Sequence, residues 1–240
     1  MISIAVKVLS VLSAGVFCDK HQPYDVKPGH YLGQVIRGYV PICSGFFVPD
    51  GSFFCPNSCL NTSSRGLRLL KAGADGGFST GPVVRSIKKT LLFTNVSEYI
   101  YSEVNSGLGV GNLLPLEFTS PSLQTVGSRD RNYFTVVHFN GKVPKETVYI
   151  QVSQEDCYRA YRTNGRSLDN SSPTHLSHND FIPTYFCAVP KHYGFLKATD
   201  QGAPAFFRHH PSPLVAGVYA GYIRDVHPYH YFYKAGNRKW

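Results

Sequence analysis

Hydrolysis without a cofactor needs a hydroxyl nucleophile, an imidazole to take its proton, and a carboxylate to orient the imidazole. Thr199-Asp200-Gln201-Gly202-Ala203-Pro204 sets a carboxylate next to a glycine-containing turn, and Gln201 stands between them. A glutamine amide is not nucleophilic and has no proton that a base could usefully remove. The histidines that could serve as bases or ligands fall into three groups. His209 and His210 follow that segment, His175 and His178 share a polar stretch with Asp180, and His227 and His230 flank Pro228 and Tyr229. None has convincing metal-ligand spacing, so all read as surface histidines and neither a metal nor a cofactor is implied.

The compartment follows from other residues. Met1–Gly15 reads as a secretory signal peptide: an apolar run broken only by Lys7 and Ser10, ending in Ser13, Ala14 and Gly15. The alternative is a buried first strand. The run is too short to span a bilayer, and no second apolar stretch of spanning length follows. The six cysteines, Cys18, Cys43, Cys55, Cys59, Cys157 and Cys187, are an even number, as expected of a secreted disulfide framework. Sequons at Asn61, Asn95 and Asn170 fit the same extracellular setting.

The formal charge is +9. A basic secreted protein suits acidic glycans, anionic membranes or acidic protein faces, and the same charge also serves plain solubility. Zinc-finger and RNA-binding signatures are missing, which argues against nucleic acid.

The elements that would position these residues are short strands. Aromatic residues make up 14% of the chain and are spread among 22 glycines and 16 prolines, a mixture that favours strands and turns over helices. Apolar or alternating runs predict strands at Tyr31–Arg37, Gly45–Val48, Gly66–Lys71, Val83–Phe93, Tyr133–Phe139, Thr147–Val152, Leu214–Tyr222 and Tyr229–Tyr233. Turns are expected at Pro49-Asp50-Gly51, Gly73–Gly77 and Asn140-Gly141, the last as a hairpin. One helix, Ser153–Tyr161, opens on a serine cap with acidic residues in its first turn. Thr163–Asn179 reads as a polar surface loop, and a domain boundary is expected within Phe118–Gly127.

Four segments in order resemble the chymotrypsin-like serine protease family. Cys43-Ser44-Gly45-Phe46-Phe47 through Asn57-Ser58-Cys59 is similar to the family's Cys-Gly-Gly-Ser-Leu to Ala-His-Cys stretch, with the cysteines sixteen residues apart. Val83–Tyr99 resembles the strand and turn that precede the family's aspartate strand. Val148–Tyr161 is similar to its helix-opening stretch. Phe186-Cys187-Ala188, the Asp200–Pro204 loop, Pro228-Tyr229-His230-Tyr231 and Trp240 match its C-terminal half, where Gly-Asp-Ser-Gly-Gly-Pro carries the nucleophile.

The resemblance implies an all-β fold of two perpendicular six-stranded antiparallel β-barrels with the site in the cleft between them. Residues 16–120 would form the first barrel and 121–240 the second. It implies disulfides Cys43–Cys59 and Cys157–Cys187, leaving Cys18 and Cys55 to pair by elimination. It also implies that all three catalytic roles are lost. Ser58 stands at the histidine position, Val110 at the aspartate position and Gln201 at the nucleophile position, with Thr199 replacing a glycine of the oxyanion hole. Phe195 at the floor and Tyr229 in the wall would block the specificity pocket. Asp200 keeps the aspartate that pairs with a freed N-terminal amine in the family, and cleavage after Gly15 would offer it Val16.

The resemblance therefore implies a secreted, inactive homologue that modulates proteolytic or immune cascades, complement among them, through a protein partner, as in inactivated mite and other arthropod paralogues. Contact surfaces would be Thr163–Asn179, Gly73–Gly81 and Tyr229–Trp240. The alternatives are an active serine-type endopeptidase with an atypical catalytic set, and a binder of heparin-like acidic glycans.

Overall fold

A computed structural model describes residues 27–56, 59, 66–72, 78–82, 84–90, 101–105, 113–121, 132–164, 177–192, 194–208, 210, 212–223, 229–236 and 238–239. Two antiparallel sheets dominate it. The first contains β1 (Leu32–Arg37), β2 (Val40–Phe47), β3 (Ser52–Pro56), β4 (Leu67–Ala72), β5 (Phe78–Pro82), β6 (Val84–Thr90) and β7 (Tyr101–Asn105). Their order is β5-β4-β1-β2-β3-β7-β6. The two outer strands, β5 and β6, are neighbours in the chain, and the sheet packs around Phe47, Phe53, Val35 and Leu69.

The second sheet contains β8 (Glu117–Phe118), β9 (Tyr133–Asn140), β10 (Val143–Gln151), β11 (Tyr185–Pro190), β12 (Pro204–Phe207), β13 (Leu214–Ile223), β14 (Tyr229–Lys234) and β15 (Arg238–Lys239). The pairing of β12 with both β9 and β13 closes six of these strands into an antiparallel barrel, which leaves no free edge. Only β8 and β15 lie outside the ring; β8 runs parallel to β13, so residues 117–118 already belong to the second sheet. Between the barrels runs a shared core in which Tyr31 meets Phe206 at 5.8 Å and Phe46 meets Phe118 at 6.0 Å between ring centroids.

The eight runs expected as strands all carry strand, with shifted ends. The Asn140-Gly141 hairpin forms, and Gly141 supplies its positive φ of 64°. The strand expected at Gly45–Val48 extends back to Val40. The expected helix is α1 (Gln154–Asn164), three residues longer at its end. Ser153 caps it by accepting from the Asp156 amide at 3.1 Å.

The polar stretch after it departs from the expectation of a loop. A second helix, α2 (His178–Thr184), starts inside it, with Ser177 accepting from the Asp180 amide. Its apolar Phe181 is fully buried beneath Tyr158 and Tyr161, which supplies the packing that a short helix needs. No helix among the described residues is long and apolar enough to cross a membrane.

Candidate functional site

Where the two barrels meet, the Thr199–Pro204 segment docks on β2. A single 3₁₀ turn, Ala198–Asp200, ends at Gln201. Both backbone polar groups and the side-chain NH2 of Gln201 then bond to the chain itself. Its N–H donates to the Ala198 carbonyl at 3.3 Å, and its own carbonyl accepts the Ser44 amide at 2.8 Å. Its side-chain amide donates to the Ala220 carbonyl at 3.0 Å. Gly202 follows at φ 89°, and a Cβ there would lie 2.2 Å from the Ser44 carbonyl oxygen, so only glycine permits this approach. The hydroxyl of Ser44 donates to the Thr199 carbonyl at 3.2 Å. An oxyanion hole needs backbone N–H groups turned toward a substrate. Here the N–H of Gln201 is turned inward.

Asp200 points into the second barrel and is 1% exposed. One carboxylate oxygen accepts the Lys197 amide at 2.7 Å. The same oxygen lies 3.7 Å from Nδ1 of His138, too far for a hydrogen bond. On the other side of that ring, Nε2 meets the Thr147 hydroxyl at 2.9 Å. Thr147, His138 and Asp200 thus stand in the order nucleophile, base, orienting acid, but all three are buried. Burial drives His138 down to about 4, helped by the charges of Lys145 and Lys197. It drives Asp200 up to about 6, against the Lys197 hydrogen bond and charge. At neutral pH the imidazole is therefore uncharged, and the contact is not an ion pair.

A second buried imidazole faces the same interior. His230 is 1% exposed, and neither ring nitrogen has a hydrogen-bond partner. Tyr149 meets it edge-on at 5.2 Å, Tyr219 at 5.7 Å, and Tyr222 and Phe195 at 6.2 and 6.3 Å. Burial, then the neighbouring His138, lowers it to about 4. The sequence reading of His230 as a surface histidine is corrected, and His138 was missed altogether. Strand parity is the signal that could have found both. His138 follows Phe134 and Val136 at two-residue steps on β9, and His230 precedes Phe232 by two on β14; Phe134, Val136 and Phe232 share one core.

The remaining expected residues are scattered. Phe195 is 58% exposed, with its ring 6.3 Å from that of His230. Tyr229 is half-buried against the shared core. His178 and His210 are exposed as expected, and the Ser212 hydroxyl lies 3.1 Å from His210 Nδ1 inside one exposed turn. Ser58, Val110, the sequons at Asn61, Asn95 and Asn170, His175, His209, His227, Cys18 and Val16 lie outside the described residues.

Disulfides Cys43–Cys59 and Cys157–Cys187 are both formed. Cys55 is not bridged to Cys18: it is a free thiol, completely buried, and burial holds it well above the ordinary thiol range. Its sulfur lies within 4.8 Å of both sulfurs of the Cys43–Cys59 bridge. Two of the three sulfurs are oxidised to that bridge, which leaves no thiolate cluster to hold a metal.

No protein-family model matches the sequence, and no curated protein matches it either. Solved structures do match. Mouse neuropsin, a serine protease expressed in the limbic system of the brain, aligns at TM-score 0.58 and 12% identity over 88% of this chain and 92% of its own. The scabies mite inactivated protease paralogue S-I1 aligns at TM-score 0.56 and 14% identity over 89% and 92%. Human heparin binding protein aligns at TM-score 0.56 and 11% identity over 88% and 89%. The chain therefore has the chymotrypsin-like double-barrel fold.

Proposed function

We propose that the chain is a secreted, catalytically inactive homologue of serine proteases that acts by binding another protein, as a modulator of a proteolytic or immune cascade. The observation that carries the reading is the bonding of Gln201. It supplies no nucleophile, and its N–H and side-chain amide both donate to carbonyls of the chain itself. Ser58 and Val110 at the positions of base and carboxylate belong to the same proposal, as does the division into barrels 16–120 and 121–240. Likeness to an inactivated paralogue shows that this frame tolerates loss of chemistry in another protein. Surface loops on a rigid β frame would then carry the contacts.

The rival reading is an atypical hydrolase, for which Thr147, His138 and Asp200 are the nearest constellation. Their burial leaves no room for a substrate, and a gap of 3.7 Å separates base from acid. Labelling of the purified protein with a fluorophosphonate serine-hydrolase probe separates the two readings. The proposal expects no labelling above that of the unfolded protein, and robust labelling at one hydroxyl would sink it.

A glycan-binding reading is favoured by the +9 charge and by the likeness to human heparin binding protein. It is compatible with the first, since a glycan can localise a protein that acts on another. Elution of the wild-type protein from a heparin column only at high salt would support it.

A further inference from the structure

Beside the second barrel, α1 and α2 form a groove of about 530 Å³ lined by Glu155, Tyr158, Arg159, Arg162, Thr163 and His178. Five of these sit at steps of three and four along α1, so they share one face of the helix. The opposite face, with Cys157, Ala160 and Tyr161, is buried. The groove is pre-ordered from below. Tyr158 packs on Phe181 at 5.4 Å and on the His178 ring, edge-on, at 4.8 Å. The Cys157–Cys187 bridge ties α1 to β11.

The chemistry of the lining is mixed in a particular way. Arg162 has no ion-pair partner among the described residues, and Arg159 meets Asp156 only at 3.7 Å in an exposed i,i+3 contact. Two guanidinium groups are thus open to an anion, and their fork suits the paired oxygens of a sulfate or carboxylate. Glu155 can accept hydroxyl donors. The Thr163 hydroxyl donates to the Arg159 carbonyl at 2.9 Å, which leaves its oxygen free to accept. Tyr158 offers an aromatic ring at the base. A purely anionic ligand would be repelled by Glu155, whereas one that combines anionic groups with hydroxyls would use every group present.

The geometry points to this groove as a binding site for a sulfated sugar unit, the anion on Arg159 and Arg162 and the hydroxyls on Glu155 and Thr163. The inference rests on the glycan reading and gives it an address. Its volume falls in the range of about 300–1,000 Å³ usual for ligand sites.

The test is titration of the full chain with a heparin-derived tetrasaccharide. Three proteins are compared: the wild type, the Arg159→Gln/Arg162→Gln double variant, and a Lys142→Gln/Arg208→Gln control. The control loses the same charge at exposed positions outside the groove. The groove variant should bind at least ten-fold more weakly, the control within two-fold of wild type, and all three should melt within a few degrees of one another. Equal losses in both variants would mean diffuse electrostatics, and wild-type binding by the groove variant would mean another site; either result overturns the groove alone. Equally tight competition by an acidic peptide would overturn its sugar chemistry. Absence of binding by the wild type would overturn the glycan reading itself.

Discussion

Replacing His230 by phenylalanine should remove most of the acid sensitivity that the buried His138–His230–Asp200 cluster gives this fold. The imidazole is buried with both nitrogens unpartnered and is held at about 4, against about 6.5 in an unfolded chain. Between these values the unfolded state binds a proton that the folded state refuses, so stability is lost as pH falls. At pH 4.5 each such histidine lowers stability by about 2.5 kcal/mol relative to neutral pH. His138, held at about 4 by the same burial, contributes a like amount. Asp200 works in the opposite direction. Its folded value is raised to about 6, so the folded state takes up its proton first and recovers about 2 kcal/mol over the same interval.

The sum for the wild-type cluster is a loss of about 3 kcal/mol between pH 7.5 and 4.5. In His230→Phe the loss should shrink below about 1 kcal/mol, because one histidine then nearly cancels Asp200. Phenylalanine also fits the surrounding Tyr149, Tyr219 and Phe195 rings. Removing two unpaired nitrogens should in addition raise stability at pH 7.5 by about 1 kcal/mol. Urea unfolding of both proteins at the two pH values measures these differences. Identical pH dependence in wild type and variant would refute the reasoning, since His230 would then be paired or hydrated inside the barrel.

Gly202→Ala should destabilise the fold by at least about 2 kcal/mol, seen as a lowered thermal midpoint, because its Cβ would press on the Ser44 carbonyl at a φ of 89°. A midpoint within a degree of wild type would contradict that packing. Cys55 should resist iodoacetamide in the native protein and react once unfolded without reductant, read by peptide mass mapping. A Cys55 peptide that stays unmodified after unfolding would mean that it is bridged. Gln201→Ser should restore neither fluorophosphonate labelling nor ester hydrolysis, because a hydroxyl without a base is a weak nucleophile. Its loss of the bond to Ala220 should cost about 1 kcal/mol of stability.

Much of the double barrel was legible. Alternating runs such as Tyr133–Asn140 carry period two plainly, and the Asn140-Gly141 signal marks the hairpin, whose two loop residues are Gly141, at positive φ, and Lys142. The short strands Ser52–Pro56, Tyr185–Pro190 and Pro204–Phe207 were not seen. Each has both faces buried over most of its length, so its sequence shows no alternation. Helix α2 escaped because its mean composition is polar and it holds Pro183; its stability comes from Phe181 beneath α1, a tertiary contact. The interior histidines escaped for a related reason. A polar residue in an aromatic strand reads as surface until the neighbours on its own face are counted, and Phe134, Val136 and Phe232 would have decided the matter.

The central claim is a protease frame without proteolysis. Incubation of the purified mature protein with a diverse peptide library, followed by mass spectrometry, tests it most directly. The account predicts no cleavage above a heat-inactivated control at any pH between 5 and 9. Cleavage at a defined sequence motif that disappears in His138→Ala would contradict it and would place the chemistry on the buried Thr147–His138–Asp200 set.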